Sequence, residues 1–340
     1  MNLKGGIFLV TTIVLVMISF YGYQIFFADN IQIDKEDFVL YIPEGAKFQQ
    51  VVDTLEKHEV CNDRLSFMFL SKLLGYREKV VPGRYLLTKN SSNFKLFKML
   101  IKGRQSPLKL TFNNIRLKED LAEKVGAKLA FGNEGMLKIL NDNALANKYG
   151  LDTATIMALF IPNTYELYWT IKPEEFVEKM NKEYQSFWNT ERKAKANALK
   201  LTTTEISILA SIVEEETKEN EEKPIVAGVY YNRLQKGQRL QADPTVKFAL
   251  RDFSIKRIRF GHLENNSPYN TYRKLGLPPG PICLPMISSI DAVLNLKKHD
   301  FYFFCADPQK PGYHLFTKTF EEHSKTAENY RESLDKRNIE

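Results

Sequence analysis

LTTTEISILASIVEEETKENEEKPIVAGVYYNRLQKGQRLQADPTV, residues 201–246, is the stretch that decides the fold and the site. Thr202 and Glu205 have the spacing of a capping box, so a helix begins there. At about 100° per residue, Glu216 falls near the centre of the apolar arc that follows. That arc has the spacing of one helix face and consists of Ile206, Leu209, Ala210 and Val213. The stretch therefore predicts a largely buried helix with one carboxylate on its apolar face.

The acidic run SIVEEETKENEEK allows two interpretations. A helix end that passes into solvated charge accounts for most of its carboxylates, including Glu214 and Glu215, since charge runs usually face water. Glu216 fits that interpretation poorly, because burial of an unpaired carboxylate is costly and raises its pKa. A Glu that stays protonated near neutral pH is what a general acid requires. Glu216 is therefore the candidate catalytic acid, and Glu215 is expected to face solvent.

Composition limits the class of protein. The chain has 340 residues, of which 44% are hydrophobic and 26% charged, enough for two or three packed domains. Its net charge of +7 favours an anionic partner such as a membrane surface or an acidic polymer. No compact basic and aromatic patch or nucleic-acid motif is present, so no nucleic-acid partner is predicted. Cys61, Cys283 and Cys305 lack CxxC spacing, and free thiols are favoured over a Cys283–Cys305 disulfide, which stays open.

The N-terminus contains an uncharged stretch, residues 7–27, that is long enough to cross a bilayer as a helix. Lys4 precedes it and acidic residues follow it, which predicts a cytoplasmic tail at residues 1–6 and the rest of the chain outside. The alternative is a cleaved signal peptide, but the usual small-residue cleavage site is missing. We therefore expect an uncleaved single-pass anchor.

Residues 38–105 have the pattern of a small α+β module. A polar linker is expected at residues 30–37. A strand at Phe38–Ile42 and a turn precede two helices, the second at about Asp63–Leu74, and VVPGRYLL then predicts another strand. A third helix is predicted at Asn93–Ile101. Strand and helical pieces connect this module, through residues 106–200, to the stretch described first, and residues 173–200 are predicted to form one amphipathic helix.

The C-terminal half, residues 201–340, carries most of the chemical signals. Pro224 begins a second helix, Gly237 marks a turn before a short strand, and Asp243-Pro244 are expected to end that segment. The proline-rich segment SPYNTYRKLGLPPGPI, residues 267–282, predicts an ordered loop. Aromatic rings on such a loop can stack on sugar faces while amide and carboxylate groups meet sugar hydroxyls. The residues of this loop are therefore suited to binding a carbohydrate.

Other chemistries are less well supported by the motifs. No GxSxG, HExxH or P-loop spacing occurs. His314 and His323 lie nine residues apart, a poor helical metal pair, and we expect a loop His and a surface His. No metal or cofactor is predicted. A two-carboxylate glycosidase pair of Glu216 with Asp243 stays open, although Asp before Pro more often caps a turn.

Four motifs resemble those of a known family: ASIVEEET, KPIVAGVYYNRLQKGQRLQADPTV, SPYNTYRKLGLPPGPI and HLFTKTFEEH. They are similar to signatures of the endolytic murein transglycosylases, the MltG or YceG-like family. The resemblance extends over nearly the whole chain, including the anchor and the patch FIPNTYELYW. The motifs IPEGAKFQQVVDTL and PGRYLL also resemble a LysM-like module. The implied fold is α+β, with a transmembrane helix, a small LysM-like module and an α+β transglycosylase domain over residues 201–340.

The resemblance implies a lyase at the bacterial inner (cytoplasmic) membrane, with its catalytic domain on the extracytoplasmic side. It would cut nascent peptidoglycan strands between N-acetylmuramic acid and N-acetylglucosamine, leave a 1,6-anhydro end and terminate strand elongation. Glu216, directly before Thr in the motif, matches the catalytic Glu, and Glu214 is second choice. Residue matching adds substrate-binding candidates: Arg239, Gln241, Asp243, Thr245, Tyr269, Asn270 and Tyr272. Penicillin-binding synthases are implied partners. The alternatives are a hydrolytic muramidase and a non-catalytic, membrane-anchored scaffold that binds peptidoglycan.

Overall fold

The computed structural model describes residues 3–33, 37–113 and 115–336. The chain combines helices and strands, as predicted, and divides into two compact units. Unit 1 comprises Met1–Leu110, Lys128–Phe131 and Glu166–Ile171, and unit 2 comprises Thr111–Ala127, Gly132–Tyr165 and Lys172–Glu340.

The elements follow the chain in order. The helices are α1 Leu3–Phe27, α2 Phe48–Lys57, α3 Arg64–Leu73, α4 Asn93–Ile101, α5 Lys118–Gly126, α6 Gly132–Leu140, α7 Asn143–Asn147, α8 Pro173–Phe187, α9 Thr190–Ala198, α10 Thr203–Glu216, α11 Lys223–Gln235, α12 Asp243–Leu250, α13 Phe260–Leu263, α14 Ile287–Leu294 and α15 Phe320–Lys336, with a 3-10 helix at Ile156–Leu159. The strands are β1 Asp29–Ile31, β2 Asp37–Ile42, β3 Gly83–Thr88, β4 Ser91–Ser92, β5 Leu108–Phe112, β6 Asn163–Leu167, β7 Phe303–Ala306 and β8 His314–Thr317. They form two-stranded sheets, β1 with β4, β2 with β3, β5 with β6 and β7 with β8.

Helix α1 is long and apolar enough to cross a membrane, and none of its residues is buried inside the protein. It begins at Leu3, four residues before the predicted start at Ile7, because that prediction followed only the uncharged stretch after Lys4. Met1 and Asn2 of the predicted cytoplasmic tail lie outside the described residues.

The rest of unit 1 packs three helices against the antiparallel pair β2–β3, whose register runs from Asp37 opposite Thr88 to Ile42 opposite Gly83. Its core is apolar and includes Leu40, Val51, Leu70, Tyr85 and Phe97. The predicted strand and helices at residues 38–42, 63–74 and 93–101 are confirmed within a residue or two. Whether this module is LysM-like stays a prediction.

The predicted linker at residues 30–37 is wrong at its start. Asn30 and Ile31 lie in strand β1 and are buried. The Asn30 amide donates hydrogen bonds to the Asp63 carbonyl at 3.0 Å and to Asn93 Oδ1 at 2.8 Å, so its polar groups are satisfied inside unit 1. Residues 34–36 of the predicted linker lie outside the described residues.

Helix α10 forms the centre of unit 2. Its capping box is present, with the Glu205 N–H donating to Thr202 Oγ1 at 3.1 Å and the Thr202 N–H donating to the Glu205 carboxylate at 2.7 Å. Every residue from Ile206 to Val213 is buried, so the helix is enclosed on all sides rather than on one face. The hydroxyl groups of its two buried serines are satisfied: Ser207 Oγ donates to the Thr203 carbonyl at 3.0 Å and Ser211 Oγ to the Ile208 carbonyl at 2.7 Å. Ser211 Oγ also accepts from the N–H of the distant Ile282 at 3.0 Å.

Two boundary predictions in unit 2 are wrong. The single helix predicted over residues 173–200 is two helices, α8 and α9, because the Asn189 side chain accepts from the Arg192 N–H and caps a new helix. Asp243-Pro244 begin helix α12 instead of ending a strand. A proline is tolerated in the first helical turn, where its missing N–H has no helical partner to lose.

Candidate active site

A cavity of about 390 Å³ opens in unit 2 at the C-terminal end of α10. It is lined by residues from α10, α11, α12, β7, β8 and α15 and from the segments between them: Glu216, Tyr230, Arg233, Leu240, Gln241, Asp243, Tyr272, Phe303, Phe304, Cys305, Ala306, His314, Phe320 and His323. The lining combines aromatic rings with hydrogen-bonding groups, which suits a polar ring-shaped ligand.

Glu216 is the last residue of α10 and is half-buried in the cavity wall. Burial is the largest influence on its carboxyl group and raises the pKa to about 7, against a hydrogen bond from Tyr230 that lowers it. The nearby carboxylate of Asp243 raises it further. The negative end of the α10 dipole also disfavours a charged carboxylate there. Glu216 can therefore both hold and release a proton near neutral pH.

Tyr230 of α11 supplies the hydrogen bond to Glu216, donating its hydroxyl proton to Oε1. Its ring is 1% exposed and stands edge-on to Phe304 with ring centroids 5.8 Å apart. Sequence reasoning did not select Tyr230. The signal was available, because Tyr230 lies on the buried helix face with Val226 and Arg233, at the spacing that singled out Glu216.

Arg233 is a second cavity residue that sequence reasoning did not select. Its Nε donates to the Tyr302 carbonyl at 2.7 Å and its Nη1 to the Leu240 carbonyl at 2.6 Å. The guanidinium carbon lies 5.1 Å from the centroid of the Phe303 ring. Burial lowers its pKa. Arg233 thus places a fixed positive group at the wall of the cavity and secures the backbone on either side of it.

Among the predicted substrate-binding residues, Gln241, Asp243 and Tyr272 line the cavity with Glu216. The Tyr272 hydroxyl donates to Asp243 Oδ1 at 2.5 Å, and burial raises the Tyr272 pKa. Gln241 adopts a φ of 52°, a left-handed conformation that few residues other than glycine adopt. The strained backbone at Gln241 directs this short segment along the cavity wall.

The other predicted substrate-binding residues do not line the cavity. Thr245 is fully buried, and its hydroxyl is 2.6 Å from the Ala242 carbonyl oxygen. The Asn270 amide donates to two carbonyls of its own loop, those of Leu263 and Asn265. Tyr269 packs against Phe248, and Arg239 is exposed. The contacts of Thr245, Asn270 and Tyr269 indicate support of the loop, and a substrate-binding role for Arg239 stays a prediction.

Comparison with known proteins shows which family this chain belongs to. The model of the YceG-like family matches residues 40–329. The chain belongs to the YceG-like family. This confirms the resemblance carried by its motifs.

Three relatives illustrate the family. A Bacillus subtilis protein named endolytic murein transglycosylase is 28% identical over 312 residues, which cover 87% of this chain and 85% of that protein. A Streptococcus pneumoniae protein of the same name is 27% identical over 326 residues, and the match covers 85% of this chain but only 58% of its relative. The crystal structure of a YceG-like protein from Listeria monocytogenes has a TM-score of 0.55 and 28% identity, covering 86% of this chain and 99% of the solved one.

Glu214, the second catalytic candidate in this YceG-like chain, lies outside the cavity lining. Its Oε2 is 3.1 Å from the Nζ of buried Lys223 and accepts a hydrogen bond from Ser289. These contacts join α10 to α11 and α14, so Glu214 is held in an ion pair between helices. A catalytic acid must exchange its proton with the substrate, and an ion-paired carboxylate outside the cavity lining is poorly placed for that exchange.

Glu215 does not face solvent as predicted. Its carboxylate pairs with Arg116, whose Nη2 lies 2.7 Å from Oε2, and the Glu215 side chain is 13% exposed. The prediction failed because Arg116 is distant in sequence. The sequence of a charged segment does not reveal which distant residues the fold places beside it. Of the three adjacent glutamates, two are thus engaged in ion pairs and Glu216 alone lines the cavity.

The two histidines near the C-terminus both line the cavity. His314 is held by Glu222, whose Oε1 accepts from the backbone N–H at 2.8 Å and whose Oε2 lies 2.9 Å from the ring Nδ1. His323 stacks on Phe303 with centroids 5.3 Å apart, and burial lowers its pKa, so its prediction as a surface residue is wrong. The described residues contain no cluster of three or more His, Cys, Asp or Glu that could hold a metal.

The three cysteines are free thiols. Cys283 is buried below α10, where its Sγ donates to the Ser211 carbonyl at 3.5 Å, and burial raises its pKa. Cys305 is half-buried in β7 and lines the cavity. A raised pKa keeps the Cys283 thiol protonated, so Cys283 is not an activated nucleophile.

Proposed function

We propose that this chain is an endolytic murein transglycosylase, a lyase that cleaves peptidoglycan strands between N-acetylmuramic acid and N-acetylglucosamine and leaves a 1,6-anhydro end. The single observation that carries the proposal is the Glu216 carboxyl group, which lies in a cavity wall with a pKa raised to about 7. The names of the Bacillus subtilis and Streptococcus pneumoniae relatives support the same reaction.

The chemistry assigns two successive roles to Glu216. As an acid, it gives its proton to the glycosidic oxygen while the bond from that oxygen to the muramic C1 breaks. The carbonyl oxygen of the muramic N-acetyl group forms a temporary bond to C1 in place of an enzyme nucleophile. The muramic C6 hydroxyl then attacks C1 and displaces the N-acetyl oxygen, whose bond to C1 breaks and whose carbonyl is restored, while the Glu216 carboxylate accepts the hydroxyl proton. The proton returns to Glu216, and no water enters the product.

Tyr230 assists both roles. Its hydrogen bond to Oε1 stabilises the carboxylate form that exists between the two steps, while burial favours the acid form. The opposing influences keep the two forms close in free energy, which is the condition for a group that first donates and then accepts a proton.

The remaining cavity residues supply substrate contacts. Rings of Phe303, Phe304 and Phe320 offer apolar faces for pyranose rings. Among the described residues the Nε2 of His314 has no hydrogen-bond partner, while Glu222 fixes the other ring nitrogen. His314 is therefore free to contact a hydroxyl or carboxylate of the glycan.

Hydrolysis by a muramidase is the second candidate, favoured by one observation. Asp243 lines the same cavity as Glu216, and two carboxyl groups are the equipment of most glycoside hydrolases. Asp243 accepts a hydrogen bond from Tyr272, which suits a base as well as a substrate-binding group. The mass of the products distinguishes the reactions, because each hydrolytic cut adds one water and each lytic cut adds none.

We further propose that α1 anchors the chain in the cytoplasmic membrane, with the rest of unit 1 and all of unit 2 outside. Residues 38–105 then form a LysM-like module that contacts glycan, and residues 106–200 connect this module to the catalytic domain at residues 201–340. That domain acts near penicillin-binding synthases, and its cleavage terminates strand elongation. The length and apolar character of α1 support the anchor, although a signal peptide has the same features. Carbonate extraction of membranes, with the intact mass of the mature chain, distinguishes a retained anchor from a cleaved peptide.

The test of the reaction is digestion of uncrosslinked glycan strands by the purified full chain, followed by mass spectrometry of the fragment ends. The proposal expects 1,6-anhydro ends from cuts inside the strand. Reducing ends that carry an added water would establish the hydrolytic alternative, and intact strands would point to a scaffold without activity.

A further inference from the structure

Unit 1 contains a second cavity, of about 360 Å³, that has no part in the proposed chemistry. Its walls are largely aliphatic and include buried Ile31 and half-buried Leu86 and Met99. Three exposed cations, Lys95, Lys98 and Arg104, also line it. Among the described residues that form the lining none is acidic. An apolar lining whose charged side chains, here called the cationic rim, are all positive matches a ligand with an anionic head and an apolar body.

The cavity lies next to the C-terminal end of α1. Helix α4, which supplies Lys95 and Lys98, begins against α1: Asn93 Nδ2 donates to the Ile25 carbonyl at 3.3 Å, and the Phe94 and Phe27 rings are 5.6 Å apart. Lys95 is the next residue after Phe94, and its Nζ donates to Thr88 Oγ1 at 3.1 Å, across the cavity lining. If α1 crosses a bilayer, the cationic rim lies at the depth of the lipid head groups.

Helix α3 also packs against α1 and presents an apolar stripe outward. Leu65, Phe69 and Leu73, spaced four residues apart, are 81%, 54% and 58% exposed. Large apolar side chains repeated along one exposed helix face are typical of a helix that rests on a membrane interface. An exposed apolar stripe on a helix that packs against α1 is a second feature of unit 1 that suits contact with lipid.

We propose that the cavity of unit 1 binds the head group of an anionic phospholipid from the bilayer in which α1 is anchored. The phosphate lies between Lys95, Lys98 and Arg104, and the first carbons of the acyl chains rest on Leu86 and Met99. The proposal rests on the proposed membrane anchor. It goes beyond the cleavage reaction, because it makes lipid composition a determinant of how unit 1 is held at the membrane.

Native mass spectrometry of the full chain in a neutral detergent tests the site. Phosphatidylglycerol and phosphatidylcholine with identical acyl chains are titrated separately, and we expect one phosphatidylglycerol to be retained in preference to phosphatidylcholine. Lys95→Gln/Lys98→Gln should weaken phosphatidylglycerol binding about 25-fold, since each cation near an anionic lipid contributes about fivefold. Arg104→Glu should also weaken it. All three side chains are exposed, so the variants should keep the unfolding temperature of the wild type.

Lys57→Gln/Lys79→Gln is the matched control, because it removes two exposed positive charges of unit 1 that do not line the cavity. Equal binding by the control and cavity variants, or equal retention of the two lipids, would overturn the proposal. Inorganic phosphate is the third arm: displacement of phosphatidylglycerol by an equal concentration of phosphate would show a site for the ion alone and also overturn it. These measurements in detergent do not require α1 to span a bilayer, so they fail separately from the anchor and from the cleavage reaction.

Discussion

The hydroxyl group of Tyr230 donates a hydrogen bond to Oε1 of Glu216 at the point where helix α10 ends. This contact lowers the pKa of Glu216, and burial of the same carboxyl group raises it. Burial is the larger influence, so the pKa settles at about 7 instead of 4.5. The reactivity that we assign to Glu216 is thus a balance between its burial and one neighbouring side chain.

Tyr230→Phe should raise the pKa of Glu216. Loss of the hydrogen bond removes an influence that lowers the pKa of Glu216, so the pKa should rise by about 1 unit. Cleavage that needs the acid form declines as pH increases through this pKa, and the alkaline limb of the pH–rate profile should therefore move to higher pH. Tyr231→Phe is the control, because the Tyr231 hydroxyl donates to the Leu199 carbonyl and does not line the cavity. An alkaline limb that moves to lower pH in Tyr230→Phe would contradict the assigned effect of Tyr230 on the pKa of Glu216.

The pKa of Glu216 also predicts a dependence of stability on pH. The folded state holds the Glu216 proton up to about pH 7, whereas the unfolded chain releases it near 4.5. The stabilisation from this protonated group is complete below pH 4.5 and is lost as pH rises to about 7. Urea unfolding of the wild type and Glu216→Gln at several pH values measures the difference, which should favour the wild type progressively less across that window. A flat difference would mean an unshifted pKa.

The buried ion pair of Lys223 with Glu214 should be important for the stability of unit 2. Lys223→Met leaves the Glu214 carboxylate, 14% exposed, with its hydrogen bond from Ser289 and a long 4.0 Å contact to the exposed Lys218 ammonium group. Removing one partner of a buried pair costs about 3 kcal/mol of unfolding free energy. Glu214→Gln combined with Lys223→Met should recover most of that loss, because no charge is then left buried.

Lys195→Met provides the matched control for the ion pair. It breaks the surface pair with Glu191 on helix α9 and should leave the unfolding free energy nearly unchanged, since water solvates the remaining carboxylate. Chemical denaturation of all the variants makes the comparison. Equal losses from the two lysine substitutions would show that the Glu214 site is not effectively buried.

Gly280 is required by a close backbone approach in the proline-rich loop. A Cβ at this position would lie 2.0 Å from the Ala154 carbonyl oxygen, and backbone cannot move aside as a side chain can. Gly280→Ala should lower the unfolding free energy by about 1–3 kcal/mol. Gly261→Ala, with nothing within 4 Å of the added carbon, should not destabilise the protein. Thermal unfolding of both variants is the measurement, and equal midpoints would contradict the close approach.

Local signals predicted the central helix and its unusual carboxylate. The capping box at Thr202 and Glu205 and the apolar spacing after it depend on neighbours within a few residues, so the start of α10 and its burial were predicted correctly. The same rotation argument selected Glu216 from three adjacent glutamates. Local signals were less informative at Asp243-Pro244, because a proline is compatible both with the end of a strand and with the first turn of a helix.

The partners of those side chains could not be predicted locally. Arg116 reaches Glu215 from 99 positions away, and Lys223 and Ser289 meet Glu214 from different helices. The supporting loop contacts of Asn270 likewise depend on a turn geometry that its composition does not define. Which residues line the cavity is a property of packing between distant segments, and for that reason only part of the predicted binding set lies there.

The most direct test of the account is the activity of Glu216→Gln beside Glu214→Gln. The full chain and both variants are incubated with uncrosslinked glycan strands, and the 1,6-anhydro ends are quantified by mass spectrometry. Glu216→Gln keeps the shape and the hydrogen bonding of the side chain but removes the proton transfer, so it should reduce the ends formed by at least about a hundredfold, while Glu214→Gln keeps most of the activity. Anhydro ends that persist in Glu216→Gln and vanish in Glu214→Gln would contradict the central claim.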